Sequence, residues 1–127
     1  EPLAFPVPPE KPVRPTRYGH AYVIIHPAGK VFVRQRGPKG LHAKMTEVPG
    51  SAWAEAQMQP EFPFSGEWKQ TGTVEHTFTH FRLVAQVWSI TADHPLNEGW
   101  WADINALDNE ALPSIFRKVL KSAGIGT

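Results

Sequence analysis

The strongest constraint on the fold is the period-two pattern of residues 81–90. In an extended chain, one face of this segment is entirely apolar and consists of Phe81, Leu83, Ala85 and Val87. The opposite face carries Arg82, Val84, Gln86 and Trp88. Because the apolar face of a strand has to be buried, the pattern predicts a β-strand that packs against a second layer of structure.

Further segments have the composition of strands. Residues 20–26 form a nearly continuous apolar run, which is typical of a strand covered on both faces. A turn at residues 27–30 returns the chain into a strand over residues 31–36, and a short strand is predicted around Glu47. Residues 68–74 are predicted as a strand. Another begins at Trp100 and Trp101, which would point in opposite directions, one into the core and one half exposed.

Two helices complete the predicted elements. Ser51 follows Pro49-Gly50 and suits the N-cap of a short helix through Met58. The second helix begins at Pro113, carries an apolar stripe and ends at Gly124. The element order predicts an α+β sandwich with a mixed β-sheet, a short helix after Pro49-Gly50 and a C-terminal helix.

The length of 127 residues is typical of a single domain. Residues 1–16 are rich in proline and are predicted to form a semi-rigid interdomain linker, which leaves residues 17–127 as the folded domain. A chain that opens in a linker is expected to come from a longer parent. The alternative for the same arm is a proline-rich strip that docks onto a partner protein.

Composition and charge exclude some kinds of site and leave phosphate binding as one possibility. The chain has no cysteine, which excludes disulfides, thiolate zinc sites and iron–sulfur clusters. No apolar run reaches the ~18 residues of a membrane span, so we expect a soluble domain. Residues 1–50 hold eight Lys and Arg against three acids, and residues 51–127 hold five against nine. Folding can gather the basic half into one phosphate-facing patch, but an ordinary solvated surface explains the same imbalance.

The densest chemistry lies in the segment His76-Thr77-Phe78-Thr79-His80-Phe81. Two histidines at this spacing chelate one metal ion on a helix, but the β-branched and aromatic residues favour an extended chain. Four residues of strand separate the two rings by roughly 13 Å, and neither a cysteine nor a third histidine nearby completes a ligand set. A tight turn that presents Phe78, Thr79 and His80 to a partner is therefore favoured over a metal site.

Two stretches resemble the MutY-type adenine DNA glycosylases, which remove adenine mispaired with 8-oxoguanine. The first resembles the Phe-Ser/Thr-His loop of their C-terminal domain and reads Val74-x-His76-x-Phe78-Thr79-His80-x-x-Leu83. The second has the spacing of their Arg-Pro-x-Lys-Gly-Leu-Leu-x-Gly-Leu-Trp-Glu-Phe-Pro-Gly segment and reads Arg36-Gly37-Pro38-Lys39-Gly40-Leu41-His42-Ala43-Lys44-Met45-Thr46-Glu47-Val48-Pro49-Gly50. The resemblance implies a Nudix-like fold for residues 17–127.

The resemblance also implies a function. The domain would read 8-oxoguanine opposite adenine in double-stranded DNA during base excision repair. The adenine glycosylase activity and an iron–sulfur cluster would belong to an N-terminal catalytic domain of the same chain, so this fragment would be inactive and carry no cofactor. A monomer in the bacterial cytoplasm, associated with the nucleoid, is implied. The implied DNA-binding residues are Phe78, Thr79, His80, His76, Arg36, Lys39 and Lys44.

The chemistry of the lesion suits a threonine. Guanine offers an acceptor at N7, whereas 8-oxoguanine carries N7–H and a carbonyl at C8. The Thr79 hydroxyl is able to accept from N7–H and to donate to O8. Phe78 would wedge or stack beside the lesion, and His80 would contact a phosphate or a base edge.

A residual nucleotide pyrophosphohydrolase is the enzymatic alternative. Nudix hydrolases hold Mg²⁺ against a pyrophosphate with clustered acids on the helix that follows their glycine-rich loop. The corresponding residues 51–58 contain Glu55 as their lone acid, and Mg²⁺ sites of this class need carboxylates placed around the phosphates. The sequence therefore predicts no hydrolysis, and Glu47 is interpreted as a structural acid beside basic neighbours.

Overall fold

The strand predicted from the alternating segment forms β5 (Arg82–Thr91) and lies inside a mixed sheet. The computed structural model describes residues 14–126. Its other strands are β1 (Thr16–His26), β2 (Lys30–Gln35), β3 (Thr46–Glu47), β4 (Lys69–Thr77) and β6 (Trp100–Asp103). A 3₁₀ helix (Ile104–Asn109) and the helix α1 (Ser114–Ser122) follow β6.

The strand order is β3-β2-β1-β5-β4, with β6 paired to β2. β1 and β5 run parallel, with Thr16 opposite Arg82 and Ile25 opposite Thr91, whereas the other pairs are antiparallel. The tight turn between β1 and β2 has Gly29 at a φ of +81°, which glycine adopts without strain. The predicted α+β architecture with a mixed sheet is confirmed.

Helix α1 covers the apolar face of β5. Its buried residues Ile115, Phe116, Val119 and Leu120 pack in one cluster with the face of β5 that carries Leu83. Gly124 follows the helix at a φ of +83° and ends it. The C-terminal helix is confirmed, with Pro113 as its N-cap rather than its first residue.

The opposite face of the sheet is covered by an aromatic layer. The Trp88 indole donates to Nδ1 of His20 over 3.0 Å, and Nε2 of His20 lies 2.7 Å from the Met58 carbonyl oxygen. Because an indole N–H only donates, Nδ1 of His20 accepts and Nε2 donates to the Met58 carbonyl. The Tyr22 ring meets Phe62 and Trp68 edge-on. These contacts hold the loop after residue 54 against the sheet.

The short helix predicted after Pro49-Gly50 is wrong. Residues 51–58 contain no helix and begin as extended chain along the edge of β1. Ser51 does not cap a helix, because its hydroxyl accepts the backbone N–H of His20 over 2.9 Å. Tyr18 and Ala54 exchange two backbone hydrogen bonds. A β carbon on Gly50 would lie 2.4 Å from the His20 carbonyl oxygen, so glycine permits this close pairing.

The two tryptophans of β6 differ in exposure, but neither is buried in the core, so the prediction holds only for the exposed one. Trp101 packs edge-on against Phe32 and His26, whereas Trp100 is exposed and donates to the Glu110 carboxylate over 3.2 Å. Most of the predicted linker lies outside the described residues, and its last residue, Thr16, begins β1. Among residues 14–126, neither helix has the length and apolar character that crossing a membrane requires.

Candidate nucleic-acid interface

The hairpin between β4 and β5 presents the predicted recognition residues at its tip. Phe78 N–H donates to the Phe81 carbonyl over 2.8 Å, which closes the turn around Thr79 and His80. Both turn residues are exposed, whereas Phe78 is half-buried. The tight turn inferred from the sequence is therefore present, with a hydroxyl and an imidazole at its tip and an aromatic ring behind them.

The Phe78 ring belongs to an aromatic cluster. It stacks on Trp53 with centroids 5.7 Å apart and lies 4.7 Å from the ring of Phe81. The imidazoles of His76 and His42 flank the same ring at 4.6 and 5.9 Å. Contacts of this kind fix the orientation of the ring, so Phe78 forms a rigid base for the exposed turn.

Arg14 joins the tip from outside the predicted site. Its Nε donates to the Thr79 carbonyl over 3.1 Å, and the Pro15 carbonyl accepts Arg82 N–H over 2.9 Å. The parallel pairing of β1 with β5 brings the chain preceding β1 to this corner. In the sequence Arg14 falls inside the predicted linker, and its positive charge is the sole signal of a role in binding.

The two histidines beside Phe78 both have a pKa below the ordinary value of histidine. Lys118 Nζ lies 3.0 Å from His76 Nδ1, and since an ammonium only donates, that nitrogen accepts. Burial, followed by the charges of Lys118 and His42, lowers the pKa of His76. Burial, followed by the Arg36 guanidinium, lowers the pKa of His42. Neither Lys118 nor His42 was predicted as a site residue. At the position of His42 the resembling family segment has leucine, and this difference is the sequence signal that could have pointed to His42.

Arg36 lies in a charge cluster rather than on the open surface. Its Nη1 and the Nε of Arg34 contact the two carboxylate oxygens of Glu47, each over 2.8 Å. Arg36 Nε also donates to the Leu41 carbonyl, and its guanidinium lies 5.2 Å from the centroid of Trp53. Glu47 therefore holds both arginines in place, in agreement with its interpretation as a structural acid.

The predicted lysines lie on the loop between β2 and β3. Lys39 and Lys44 are both exposed, and the loop is closed by a 2.9 Å hydrogen bond from Lys44 N–H to the Gly37 carbonyl. Lys44 has a φ of +63° and His42 a φ of +54°, a left-handed conformation that costs a residue with a side chain about 1 kcal/mol. This backbone directs His42 toward Phe78 and Lys44 toward solvent.

A cavity of about 410 Å³ lies beside the corner. Trp53 and Phe81, which both pack against Phe78, line it together with Arg17, Arg34 and Arg36. Glu47 is the acidic side chain in its wall, so the lining carries more positive than negative charge. The fold thus gathers basic groups from β1, β2 and the β2–β3 loop around the aromatic cluster.

Several solved structures share this fold. The C-terminal domain of mouse MUTYH, solved with human PCNA, aligns at a TM-score of 0.67 and 21% identity, covering 85% of this chain and 87% of that chain. A MutT protein from Methanosarcina mazei Go1 aligns at 0.64 and 18% identity, covering 85% and 92%. The NUDIX domain of Shewanella oneidensis NrtR, solved with ADP ribose, aligns at 0.63 and 11% identity, covering 94% and 92%. At these identities the alignments establish the fold.

No curated protein matches the sequence significantly. A family profile described as NUDIX domain matches residues 20–122. The matched segment begins within β1 and ends with α1, and it contains the hairpin, the β2–β3 loop and the lining of the cavity apart from Arg17. This chain therefore belongs to the NUDIX domain family.

Proposed function

We propose that this NUDIX domain is a DNA-repair module that recognises 8-oxoguanine opposite adenine for an adenine DNA glycosylase domain in the same longer chain. The observation that carries the proposal is the β4–β5 tip, where the exposed Thr79 follows the half-buried Phe78 in one tight turn. The Thr79 carbonyl accepts the hydrogen bond from Arg14, and the exposed Thr79 side chain offers its hydroxyl to the lesion. The fold shared with the mouse MUTYH domain supports the assignment.

The charge distribution supports a nucleic-acid partner. Arg14 lies at the tip, while the exposed Lys39 and Lys44 belong to the β2–β3 loop, whose His42 contacts Phe78. Basic side chains on several elements around one exposed recognition loop suit a duplex, because phosphates position a protein while base edges supply specificity. In this arrangement Thr79 reads the lesion, and the surrounding cations hold the backbone.

The domain itself is proposed not to be catalytic. Within residues 14–126, no group of three or more His, Asp or Glu side chains is arranged to bind a metal ion. Glu47, the acidic side chain of the cavity wall, already accepts from two arginines. Hydrolysis of a nucleoside diphosphate needs carboxylates placed around Mg²⁺ and the phosphates, and the extended segment after Gly50 does not supply them.

Thr79→Val tests the recognition role. Valine keeps the β-branched shape but removes the hydroxyl, so N7–H of the lesion faces a methyl group. We expect a loss of discrimination of about 1–3 kcal/mol. The measurement is the ratio of the dissociation constants of the 127-residue chain for duplexes with 8-oxoguanine:adenine and guanine:adenine.

Thr79→Ser is the matched control, because it keeps the hydroxyl and should retain the ratio. Affinity for the undamaged duplex should be similar in all three proteins, since phosphate contacts do not sense that base edge. A ratio for the valine variant equal to that of the native chain would show that Thr79 does not read the lesion.

Lys39→Ala and Lys44→Ala test the phosphate contacts. Each contact that is lost should reduce the slope of log K against log salt by about 0.9. Lys69→Ala is a control at the far end of β4, where an exposed lysine is distant from the hairpin tip and should leave the slope unchanged. Equal slopes in all four proteins would assign both loop lysines to ordinary solvated surface.

A further inference from the structure

Three basic side chains from three separate elements meet at the edge of Phe78. His76 comes from β4, Lys118 from α1 and His42 from the β2–β3 loop. The two imidazoles lie 4.6 and 5.9 Å from the Phe78 ring, and Lys118 Nζ lies 3.0 Å from His76 Nδ1. Lys118 also contacts the Glu75 carbonyl oxygen over 3.3 Å. All three groups are therefore adjacent to the exposed turn.

Within residues 14–126, this cluster has no carboxylate of its own. Lys118 and His42 face His76, and Arg36 faces His42. The two nearby acids are engaged elsewhere: Glu47 pairs with Arg34 and Arg36, and Glu75 pairs with Arg82 over 3.2 Å. Glu75 and His76 are successive strand residues, so their side chains point to opposite faces of the sheet. The cluster is thus rich in positive and protonatable groups.

The geometry of His42 is an independent observation. Its left-handed backbone is energetically unfavourable for a residue with a β carbon, and strained residues of this kind concentrate at binding sites. Here the strain places the imidazole against Phe78 and opposite His76. The pKa of each imidazole lies below its ordinary value, mainly through burial and then through the neighbouring cations.

We infer that His42, His76 and Lys118 form a phosphodiester-binding site beside Phe78, and that the two imidazoles take up protons when DNA binds. The inference rests on the proposed function, because the recognition turn brings the DNA backbone to this edge. A phosphate supplies the negative charge that the cluster lacks, and Lys118 and the ring N–H groups supply donors. His76 takes up its proton at Nδ1, the nitrogen that accepts from Lys118 in the unbound protein, so Lys118 gives up that hydrogen bond and donates to the phosphate instead. A nearby negative charge favours the imidazolium, so binding raises both pKa values.

The sign of the pH dependence follows by linkage. Each imidazole is neutral above its pKa in the unbound protein, which lies below 6.5. Binding raises that pKa, so affinity increases as the pH falls through the interval between the bound and unbound values. Below the unbound pKa the imidazole is charged in both states, and the increase stops. Within the interval, each proton taken up strengthens binding about tenfold per pH unit.

The test is the dissociation constant of the 127-residue chain for an 8-oxoguanine:adenine duplex from pH 5.5 to 8, at constant ionic strength. We expect the affinity to rise as the pH falls. The double variant His42→Gln plus His76→Gln keeps polar side chains that do not titrate, and it should bind with a flat pH profile. Lys118→Gln should reduce the salt slope by about 0.9. Urea unfolding establishes that each variant is folded.

A histidine outside the DNA-binding residues serves as the control. His94→Gln removes an exposed imidazole beside Phe64 on another part of the fold. This variant should retain the pH dependence of the native chain. A native profile that is flat, or one that persists unchanged in the double variant, would overturn the inference.

The outcomes separate this inference from the proposed function. If the chain prefers the lesion duplex but its affinity does not change with pH, the proton-coupled phosphate site is wrong and the recognition role stands. If the affinity depends on pH but the chain does not prefer the lesion duplex, the recognition role is wrong and the phosphate site stands. Absence of duplex binding at every pH overturns both.

Discussion

Glu47→Gln is expected to lower the free energy of unfolding by about 2 kcal/mol. The native carboxylate accepts from Arg34 and Arg36 over 2.8 Å on each oxygen, and its side chain is 15% exposed. Glutamine preserves the size but offers one acceptor oxygen and an NH₂ group, so one guanidinium then faces a donor. The measurement is urea unfolding of the 127-residue chain, followed by tryptophan fluorescence.

Glu75→Gln is the matched control for this prediction. Glu75 also pairs with an arginine, Arg82, but the two side chains are 60% and 46% exposed. Exposed ion pairs contribute about 0–1 kcal/mol, so the control should change the unfolding free energy little. Similar losses for both variants would show that the Glu47 cluster is an ordinary surface pair. Retention of full stability by Glu47→Gln would contradict its structural role.

Phe78→Ala is expected to have two effects. Removing the ring from its contacts with Trp53, Phe81 and the flanking imidazoles should lower the unfolding free energy by about 2–3 kcal/mol, below the cost for a fully buried phenylalanine because Phe78 is half-buried. Under conditions where the variant is folded, binding of an 8-oxoguanine:adenine duplex should weaken by a further ~1–3 kcal/mol through lost stacking.

Phe78→Leu separates these two effects. Leucine retains most of the apolar volume, so the stability loss should fall below about 1.5 kcal/mol. Without an aromatic face it is unable to stack on a base, so its binding loss should remain close to that of alanine. If both variants bind the lesion duplex as tightly as the native chain, Phe78 acts in packing alone.

Local patterns were sufficient for most strands and for the C-terminal helix. The alternation of residues 81–90 and the apolar run of residues 20–26 predicted β5 and the greater part of β1, because side-chain periodicity reports directly on which faces are buried. The same reasoning failed at Ser51, where a good helix N-cap was used to bind the backbone of β1. Pairing with a strand edge from a distant segment outweighed a local capping preference.

The candidate site likewise contains residues that a local motif predicted and residues that only long-range contacts bring to it. Phe78, Thr79 and His80 are successive residues, so a motif in the sequence was enough to place them in one turn. Arg14 and Lys118 were missed because their contacts, to Thr79 and to His76, span 65 and 42 residues of chain, respectively. Arg36 was predicted as a phosphate contact, and its ion pair with Glu47 depends on the antiparallel pairing of β2 with β3.

The sequence by itself determined the strand periodicities, the C-terminal helix, the turn that carries Thr79 and the lack of an acid cluster after Gly50, because each depends on residues close together in the chain. Only the tertiary structure decided what surrounds that turn. The parallel pairing of β1 with β5 brings Arg14 to the tip, and the packing of α1 brings Lys118 to His76. These contacts depend on burial of one apolar sheet face beneath α1, a long-range effect that no local pattern encodes.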